Sequence, residues 1–251
     1  MHDLKPPEDK EMSLEEHLAE LRRRVIRIVI VLIFGTTSIF IFGGKLMWSF
    51  WNTLLPSNIP IYVLSPTEIL VAQLTFSFVL AFLISYPYIV YELYQFAKPG
   101  LYEHERKFVK TFLPFSYLLF IVGLALAYFV IIPKVFYLSM ALGMDVEPFL
   151  SAKKTLYTAL KILVAFGLTF QIPVLAVIAV RVGIITCNWL KEKRLIIYLA
   201  VFILATNVTL DISGISQIIV LTLVVIMYEI SIILAKIMER AGRDLNPRPR
   251  D

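Results

Sequence analysis

Two long runs without charged residues constrain this chain more than any other feature of its sequence. Ile69–Tyr91 and Thr111–Pro133 contain no Asp, Glu, Lys or Arg. A helix needs about 20 mostly apolar residues to cross the hydrocarbon of a bilayer, and both runs reach that length. The chain as a whole is 59% hydrophobic, whereas a soluble domain has about 45–50% apolar residues. These runs therefore predict a helical membrane protein rather than a soluble domain with a large core.

Further apolar runs extend this pattern to an all-α polytopic membrane protein with six transmembrane helices. The predicted spans cover residues 25–42, 69–96, 110–132, 156–180, 195–206 and 215–235. The fifth is short for about 30 Å of hydrocarbon, so we expect the bilayer to thin around the fifth and sixth helices or other helices to shield them. The loop Lys45–Pro66 is too apolar for a free loop and too short to span. It predicts an interfacial helix in the first outer loop, with Trp48 and Trp51 at headgroup depth.

The spans imply one transmembrane domain that covers residues 1–251. Residues 1–12 are rich in proline and charge and are expected to be disordered. Residues 13–235 form the six-helix membrane core. Residues 236–251 are a polar tail without an apolar period and are also expected to lack structure.

The distribution of basic residues predicts the orientation of the spans. When the loops are assigned to alternating sides, nineteen of the 24 Lys and Arg residues fall on the side of the N-terminus. Short cytoplasmic loops carry an excess of Lys and Arg. We therefore expect both termini in the cytoplasm and a multi-pass protein of the cell membrane, which is the inner membrane where there are two.

Several function classes are disfavoured by composition. The single Cys187 excludes an intrachain disulfide and a cysteine-cluster metal site, and the presence of only three histidines argues against a His-rich metal site. The bases are spread over separate loops rather than gathered in one patch, which argues against nucleic-acid binding. The sequence has no Walker loop, dinucleotide fingerprint or zinc motif. We therefore expect no enzyme activity, no metal and no cofactor. The charged first 24 residues also predict no cleavable signal peptide.

A polar island between the two longest runs predicts a binding surface. Residues 96–107 combine an aromatic residue, a Pro-Gly turn, two carboxylates and three bases. Apolar runs on both sides tie this short loop to two membrane helices. That composition is unusual for a simple connector and suits a docking surface for a basic peptide.

Motifs in a fixed order show a resemblance to a known family. They are His17-Leu18-x-Glu20-Leu21-Arg22-x-Arg24, Leu64-Ser65-Pro66-Thr67-Glu68, Phe96-x-x-Pro99-x-Leu101-Tyr102-x-x-Glu105-Arg106, Ala165-Phe166-Gly167-x-x-Phe170-Gln171-x-Pro173 and Tyr228-Glu229-Ile230. Together they resemble TatC, the receptor subunit of the twin-arginine protein translocase. The resemblance covers residues 15–235, and six spans also fit that family.

The resemblance implies which residues bind the twin-arginine motif of signal peptides. In that family the N-terminal segment and the first cytoplasmic loop form the site. The corresponding residues here are Glu20, Arg22, Phe96, Pro99, Leu101, Tyr102 and Glu105. Guanidinium groups bind carboxylates through two parallel hydrogen bonds, which lysine cannot reproduce. A receptor for two arginines therefore needs carboxylates such as Glu20 and Glu105.

The resemblance also implies a place in a larger complex. The polar residues Gln171, Asp211 and Gln217 correspond to family positions within the membrane or at its outer side and are expected to make polar or partner contacts. The implied partners are single-span TatA- or TatB-type subunits, further copies of this chain, and the signal peptides of folded cargo proteins. The implied energy source is the proton-motive force.

Simpler interpretations of two of these residues remain open from sequence. Glu105 pairs with Arg106 or Lys107 as a solvated loop charge if the loop is only a connector. Gln171 either makes a hydrogen bond between helices or lines a concave, water-accessible face that the signal peptide or partner helices contact.

A rival function is an ion-coupled transporter of small solutes. Ionisable or polar side chains within predicted spans suggest it, namely Glu92, Lys161, Gln171 and Glu229. Against it, the two halves of the chain contain no matching pair of interrupted segments. A membrane scaffold that binds neither a solute nor a signal peptide is a third alternative.

Overall fold

The computed structural model describes residues 14–54, 61–63, 65–141, 150–208 and 215–245. Its α-helices are α1 (Leu14–Phe42), α2 (Gly44–Leu54), α3 (Pro66–Ala97), α4 (Glu103–Leu126), α5 (Ile132–Ala141), α6 (Ala152–Thr169), α7 (Ile172–Arg181), α8 (Cys187–Glu192), α9 (Arg194–Val208) and α10 (Ile215–Leu245). A 3-10 turn, Lys98–Gly100, joins α3 to α4, and a π-helical turn, Ala127–Ile131, joins α4 to α5.

Five helical segments among the described residues are long and apolar enough to cross a membrane. They are Leu14–Phe42, Pro66–Gly100, Glu103–Tyr137, Ala152–Arg181 and Leu221–Glu239. The sixth predicted span corresponds to the last of these, whereas the fifth corresponds to α9, which has only 15 residues. The all-α fold is confirmed, and the short fifth helix agrees with the short apolar run in the sequence.

The core lies where α3, α4 and α6 pack together. The rings of Tyr86 and Phe120 stack with centroids 3.7 Å apart and planes inclined by 6°. α4 and α6 approach closely because Gly123 and Gly167 lack side chains; a Cβ at Gly167 would lie 2.7 Å from Phe120 Cε2. By contrast, α1 has no buried residue and covers one side of α3. α6 is thus the central helix, and α1 lies at the periphery.

The fourth predicted span is broken in the middle. α6 ends at Thr169 and α7 begins at Ile172, with Phe170 and Gln171 between them. Pro173 explains the break because proline lacks the N–H that would bond to the carbonyl four residues earlier, and its ring crowds that carbonyl. The Gln171 carbonyl accepts a hydrogen bond from Leu175 N at 2.9 Å, so the helix restarts at once. Gln171 therefore lies at a joint rather than on a regular helix.

Three helix bounds differ from the predictions. α1 is continuous from Leu14, so the segment before the first span and the span itself form one helix. α4 begins at Glu103 instead of residue 110, which puts Pro114 in its interior rather than its first turn. α10 continues to Leu245, so the expectation of an unstructured tail is wrong for residues 236–245. That stretch contains Ala, Lys, Met, Glu and Arg, which favour helices.

The segment between α1 and α3 contains the predicted helix and one unpredicted contact. α2 presents Met47 and Trp51 to the core while Trp48 is exposed. The short strands Ile61–Tyr62 and Leu150–Ser151 pair in parallel and so connect this loop to the segment before α6. Two-residue strands carry no periodic signal, which is why the sequence did not indicate them. Residues 1–12, predicted to be disordered, lie outside the described residues.

Candidate functional site

Most of the predicted site residues gather at one end of the helix bundle. This end, called the loop face below, comprises residues 17–27 of α1, 88–97 of α3 and 98–106 of the following turn and helix. α1 meets α3 here, as the rings of His17 and Phe96 stack with centroids 4.5 Å apart. The sequence placed Phe96 in the site, and the structure shows its ring half-buried beneath a histidine from α1.

A charge network crosses from α1 to α3 at this face. Arg24 donates from Nε and Nη2 to Glu20 Oε1, the first of these bonds being 3.0 Å long. The third nitrogen, Nη1, donates to Glu92 Oε2 at 2.9 Å. Arg27 Nη1 lies 3.7 Å from the other oxygen of Glu92, and Tyr88 OH donates to that oxygen at 2.8 Å. One guanidinium thus bridges two carboxylates that are far apart in the sequence.

Burial makes this network a firm link between the helices. Glu92 is only 4% exposed, and a buried carboxylate is costly unless cations and hydrogen bonds compensate its charge. Arg24, Arg27 and Tyr88 supply that compensation. From sequence, Glu92 was noted only among the polar groups that suggest a transporter, Arg24 only as part of a family motif, and Tyr88 not at all. The available signals were the four-residue spacings of Glu20 to Arg24 and of Tyr88 to Glu92.

The two oxygens of Glu20 have different surroundings. Oε1 accepts both bonds from Arg24, whereas Oε2 is buried and has no hydrogen-bond partner among the described residues. An unpaired buried acceptor costs free energy. Arg22, two positions further along α1, is exposed. The two predicted site residues of α1 therefore differ in that Glu20 is engaged within the protein and Arg22 is open to its surroundings.

Arg106 holds the loop between α3 and α4 in shape. Its Nε donates to the carbonyl of Lys98 at 2.9 Å and to that of Leu101 at 2.8 Å. The backbone N–H of Leu101 also donates to the carbonyl of Lys98 at 3.2 Å. Leu101 is buried beneath this turn, while Pro99 is exposed. Arg106 belonged to the family motif, but its action on the loop backbone was not predicted.

Glu105 caps the helix that follows the loop. Its Oε2 accepts a hydrogen bond from the backbone N–H of Tyr102 at 2.9 Å, and its Oε1 lies 3.9 Å from His104 Nε2. The side chain is buried, so the alternative of a solvated charge paired with Arg106 or Lys107 is wrong. Lys107 instead pairs with Glu103, at 2.9 Å on the surface. A glutamate three positions after the residue that precedes a helix is a common N-terminal signal.

The predicted site residues therefore form two groups on one face. Glu20 and Phe96 lie where α1 meets α3, and the loop residues Pro99, Leu101, Tyr102 and Glu105 lie beside them in the chain. Tyr102 is 48% exposed. Glu20 accepts two hydrogen bonds from Arg24, and Glu105 accepts one from the backbone N–H of Tyr102. The two carboxylates are thus held by separate partners.

The polar residues predicted within the membrane or at its outer side differ in where they lie and in whether the structure describes them. Gln171 is 5% exposed; its Oε1 accepts a hydrogen bond from Ser116 Oγ, and its Nε2 donates to the Ser116 carbonyl at 3.1 Å. Of the two alternatives for Gln171, the structure shows the bond between helices. Gln217 lies in the first turn of α10. Asp211 lies outside the described residues.

A second polar cluster joins α9 to α10. Tyr198 OH donates to Glu229 Oε1, and Arg194 Nη2 lies 3.0 Å from Glu229 Oε2. Tyr228 OH donates to the Leu190 carbonyl at 2.7 Å. From sequence, Glu229 was noted only in a family motif and among the polar groups that suggest a transporter. Its partner is Arg194, because α9 packs against α10 and brings its first residue to that carboxylate.

No trio of His, Cys, Asp or Glu residues suited to a metal ion occurs among residues 14–54, 61–63, 65–141, 150–208 and 215–245. The face offers carboxylates, aromatic rings and a constrained loop, which suit recognition of a cationic peptide. It does not present a nucleophile with an adjacent base.

Comparisons with known proteins match this arrangement along nearly the whole chain. A family model described as "Sec-independent protein translocase protein (TatC)" matches residues 16–222. The TatC protein of Methanocella arvoryzae is 37% identical over 234 residues, which cover 93% of this chain and 97% of that protein. The TatC protein of Aquifex aeolicus is 31% identical over 239 residues, which cover 93% and 99%.

Solved structures give the same result for the fold. A crystal structure described as the twin arginine translocase receptor TatC matches with a TM-score of 0.82 at 31% identity, covering 90% of this chain and all of that chain. A second crystal structure of a TatC receptor, in the detergent DDM, matches with a TM-score of 0.79 at 31% identity. It covers 88% of this chain and 99% of that one.

Proposed function

Because this chain belongs to the TatC family of Sec-independent protein translocase components, we propose that its loop face is a receptor for twin-arginine signal peptides. Membership makes the chain a membrane component of the Tat translocase and not an enzyme. The observation that carries the proposal is the gathering of Glu20, Phe96, Tyr102 and Glu105 at one end of the bundle.

The chemistry of this face suits a peptide with two arginines. A guanidinium forms paired hydrogen bonds with a carboxylate, and such bonds gain strength away from bulk water. Glu105 Oε1 lies 3.9 Å from His104 Nε2, too far for a hydrogen bond, so this oxygen can accept from a ligand while Oε2 caps α4. Tyr102 and Pro99 offer exposed surface for the residues that flank the arginines. Arg22 of α1 is also exposed and would favour the acidic or polar part of a peptide.

The proposal includes a topology and a setting. Six spans with both termini in the cytoplasm place the loop face on the cytoplasmic side of the cell membrane, where unexported proteins are met. The supporting observation is the excess of Lys and Arg on that side. α9 then serves as a short fifth span, with the bilayer thinned around it or with partner helices covering it.

The complex around this chain is proposed from family membership. Single-span TatA- or TatB-type subunits and further copies of the chain would pack on its membrane surface, with Gln217 and Asp211 as polar contact positions. The proton-motive force would drive translocation of folded cargo. The α9–α10 surface supports such packing, since Leu195, Ile196 and Leu199 are exposed apolar residues.

The transporter alternative receives no support from the four groups that suggested it. Glu92 is bound by two arginines, Glu229 by Arg194 and Tyr198, and Gln171 by Ser116. Lys161 Nζ lies 4.4 Å from the centre of the Tyr157 ring. Each group has a structural role in place, so no observation favours a solute site.

Binding of synthetic signal peptides to the detergent-solubilised chain tests the receptor proposal. Peptides with an Arg-Arg pair and with a Lys-Lys pair are compared by fluorescence anisotropy. The wild type should bind the Arg-Arg peptide more tightly, by about tenfold or more, because lysine cannot form the paired bonds. Glu105→Gln should remove most of this preference.

Glu103→Gln is the matched control for that experiment. Glu103 lies two positions away, is exposed and pairs only with Lys107 among the described residues. It should leave both affinities unchanged. Equal binding of the two peptides by the wild type, or an equal loss in both variants, would contradict a receptor site at Glu105.

A further inference from the structure

One guanidinium of the protein already occupies Glu20. Arg24 directs two nitrogens at Glu20 Oε1, and within the part of the chain that the structure describes the opposite oxygen, Oε2, is buried without a partner. Arg24 is itself only partly exposed, with a side-chain relative exposure of 17%. The contact between Arg24 and Glu20 is therefore a partly buried ion pair at the edge of the core and not a solvent-exposed surface pair.

We propose that Arg24 is an internal competitor for the ligand arginine at Glu20, so that peptide binding there exchanges one guanidinium for another. This inference rests on the proposed receptor function and adds a residue that sets its affinity. Arg24 acts through Glu20 and Glu92 and needs no contact with the peptide.

Exchange, rather than addition, follows from the geometry of Glu20. A carboxylate oxygen has two lone pairs, and both donors of Arg24 already point at Oε1. Oε2 is enclosed and exposes no surface to a ligand. Paired bonding to a peptide arginine needs both oxygens. The Glu20 side chain must therefore release Arg24 before it can turn both oxygens to a ligand.

Glu92 makes the release of Arg24 feasible. Arg24 keeps its bond from Nη1 to Glu92 Oε2 when Glu20 leaves. Tyr88 and Arg27 hold the other oxygen of Glu92 and so keep that carboxylate in place. The released guanidinium remains paired, and no buried charge is left uncompensated. Glu92 is thus the carboxylate that pairs with Arg24 when the peptide is bound.

The competitor affects affinity and leaves discrimination unchanged. Every ligand that uses Glu20 must displace Arg24, so the same free-energy cost is subtracted from Arg-Arg and Lys-Lys binding. Specificity is a difference between two affinities, and a common cost cancels in it. Removal of Arg24 should therefore increase the binding affinity of both peptides by the same factor. The effect fits a receptor that must release its cargo after each cycle.

The first test measures affinity of both peptides for Arg24→Gln in the full-length detergent-solubilised chain. The expected result is about tenfold tighter binding, the size of one hydrogen bond to a charged group. Arg23→Gln is the matched control because it removes the same charge from an exposed neighbour. It should change affinity by about twofold at most, through general electrostatics. Arg24→Lys should give a smaller gain, since lysine keeps the charge without the fork.

A double-mutant cycle tests the role of Glu92. Glu92→Gln alone should weaken peptide binding, because Arg24 then has no second carboxylate to receive it. In the Arg24→Gln background the same change should have no effect, and this non-additivity is the signature of exchange. A thermal unfolding midpoint for each variant checks that the fold is kept. If Arg24→Gln does not fold, Arg24→Lys decides the direction of the effect.

The outcomes separate this inference from the receptor proposal. Absence of Arg-Arg binding by the wild type and by every variant would overturn both. Wild-type binding with equal affinities for Arg24→Gln and Arg23→Gln would overturn only the exchange. Loss of binding in folded Arg24→Gln would also overturn it, since Arg24 would then be orienting Glu20 for the ligand.

Discussion

Gln171 and Ser116 form two hydrogen bonds with each other, one to the side chain and one to the backbone of the serine. The pair joins the joint between α6 and α7 to the middle of α4. Tyr86 OH lies 3.4 Å from the same serine hydroxyl, so α3 is also linked. Three helices therefore meet at one buried polar point beside the break that Pro173 imposes.

Ser116→Ala should destabilise the protein by about 1–3 kcal/mol. The change removes the donor to Gln171 Oε1 and leaves that buried oxygen unpaired. Ser77→Ala is a matched control, because Ser77 is also buried but donates only to the Gln73 carbonyl of its own helix. The thermal unfolding midpoint in detergent measures the stability of both variants. A larger drop in the midpoint for Ser77→Ala than for Ser116→Ala would contradict the structural role of the Gln171–Ser116 pair.

Arg106→Ala should loosen the loop between α3 and α4. The carbonyls of Lys98 and Leu101 would lose their common donor, so backbone amides of the turn should exchange hydrogen about tenfold faster. Hydrogen–deuterium exchange of the peptide that contains residues 98–102 measures this.

Lys107→Ala provides the comparison for that loop. It removes a neighbouring cation that is exposed and paired with Glu103, and such surface pairs contribute little. Exchange in the turn should stay at the wild-type rate. Faster exchange in both variants to the same degree would show that charge, and not the two carbonyl contacts of Arg106, holds the loop.

Gly167→Ala should separate α4 from α6 and cost about 1–3 kcal/mol. The added Cβ would lie 2.7 Å from Phe120 Cε2 and 3.0 Å from Leu124 Cδ2, so the rings and helices must move. At Gly100 an added Cβ meets nothing within 4 Å, and Gly100→Ala should leave the unfolding midpoint unchanged. A similar loss at both positions would be inconsistent with close packing at Gly167.

The helical architecture and the family were predictable from the sequence. The length of an apolar run predicts the length of the membrane helix that it forms. The order of the motifs identified TatC, which the family match confirms. The helix α2 between the first two predicted spans and the short α9 also followed from local composition. Such features depend on neighbouring residues in the chain, which is why sequence reasoning reaches them.

Contacts between distant segments were not predictable in the same way. The pairing of Arg24 with Glu92 joins positions 68 residues apart, and the pairing of Arg194 with Glu229 depends on how α9 lies against α10. No periodic signal identifies either partner. For Glu105 a local signal existed, since Tyr102 and Glu105 have the spacing of an N-terminal cap. Its capping role was missed because the charged neighbours suggested a solvated loop.

Site-specific photo-crosslinking tests the central claim most directly. A photoreactive tyrosine analogue replaces Tyr102 on the loop face or Tyr137 in α5, which are 48% and 72% exposed. The label is challenged with an Arg-Arg signal peptide and with its Lys-Lys version. The account predicts strong crosslinking of the Arg-Arg peptide at position 102, little at position 137, and a weaker product with Lys-Lys. Crosslinking at position 137 that equals or exceeds that at position 102 would contradict a receptor site on the loop face.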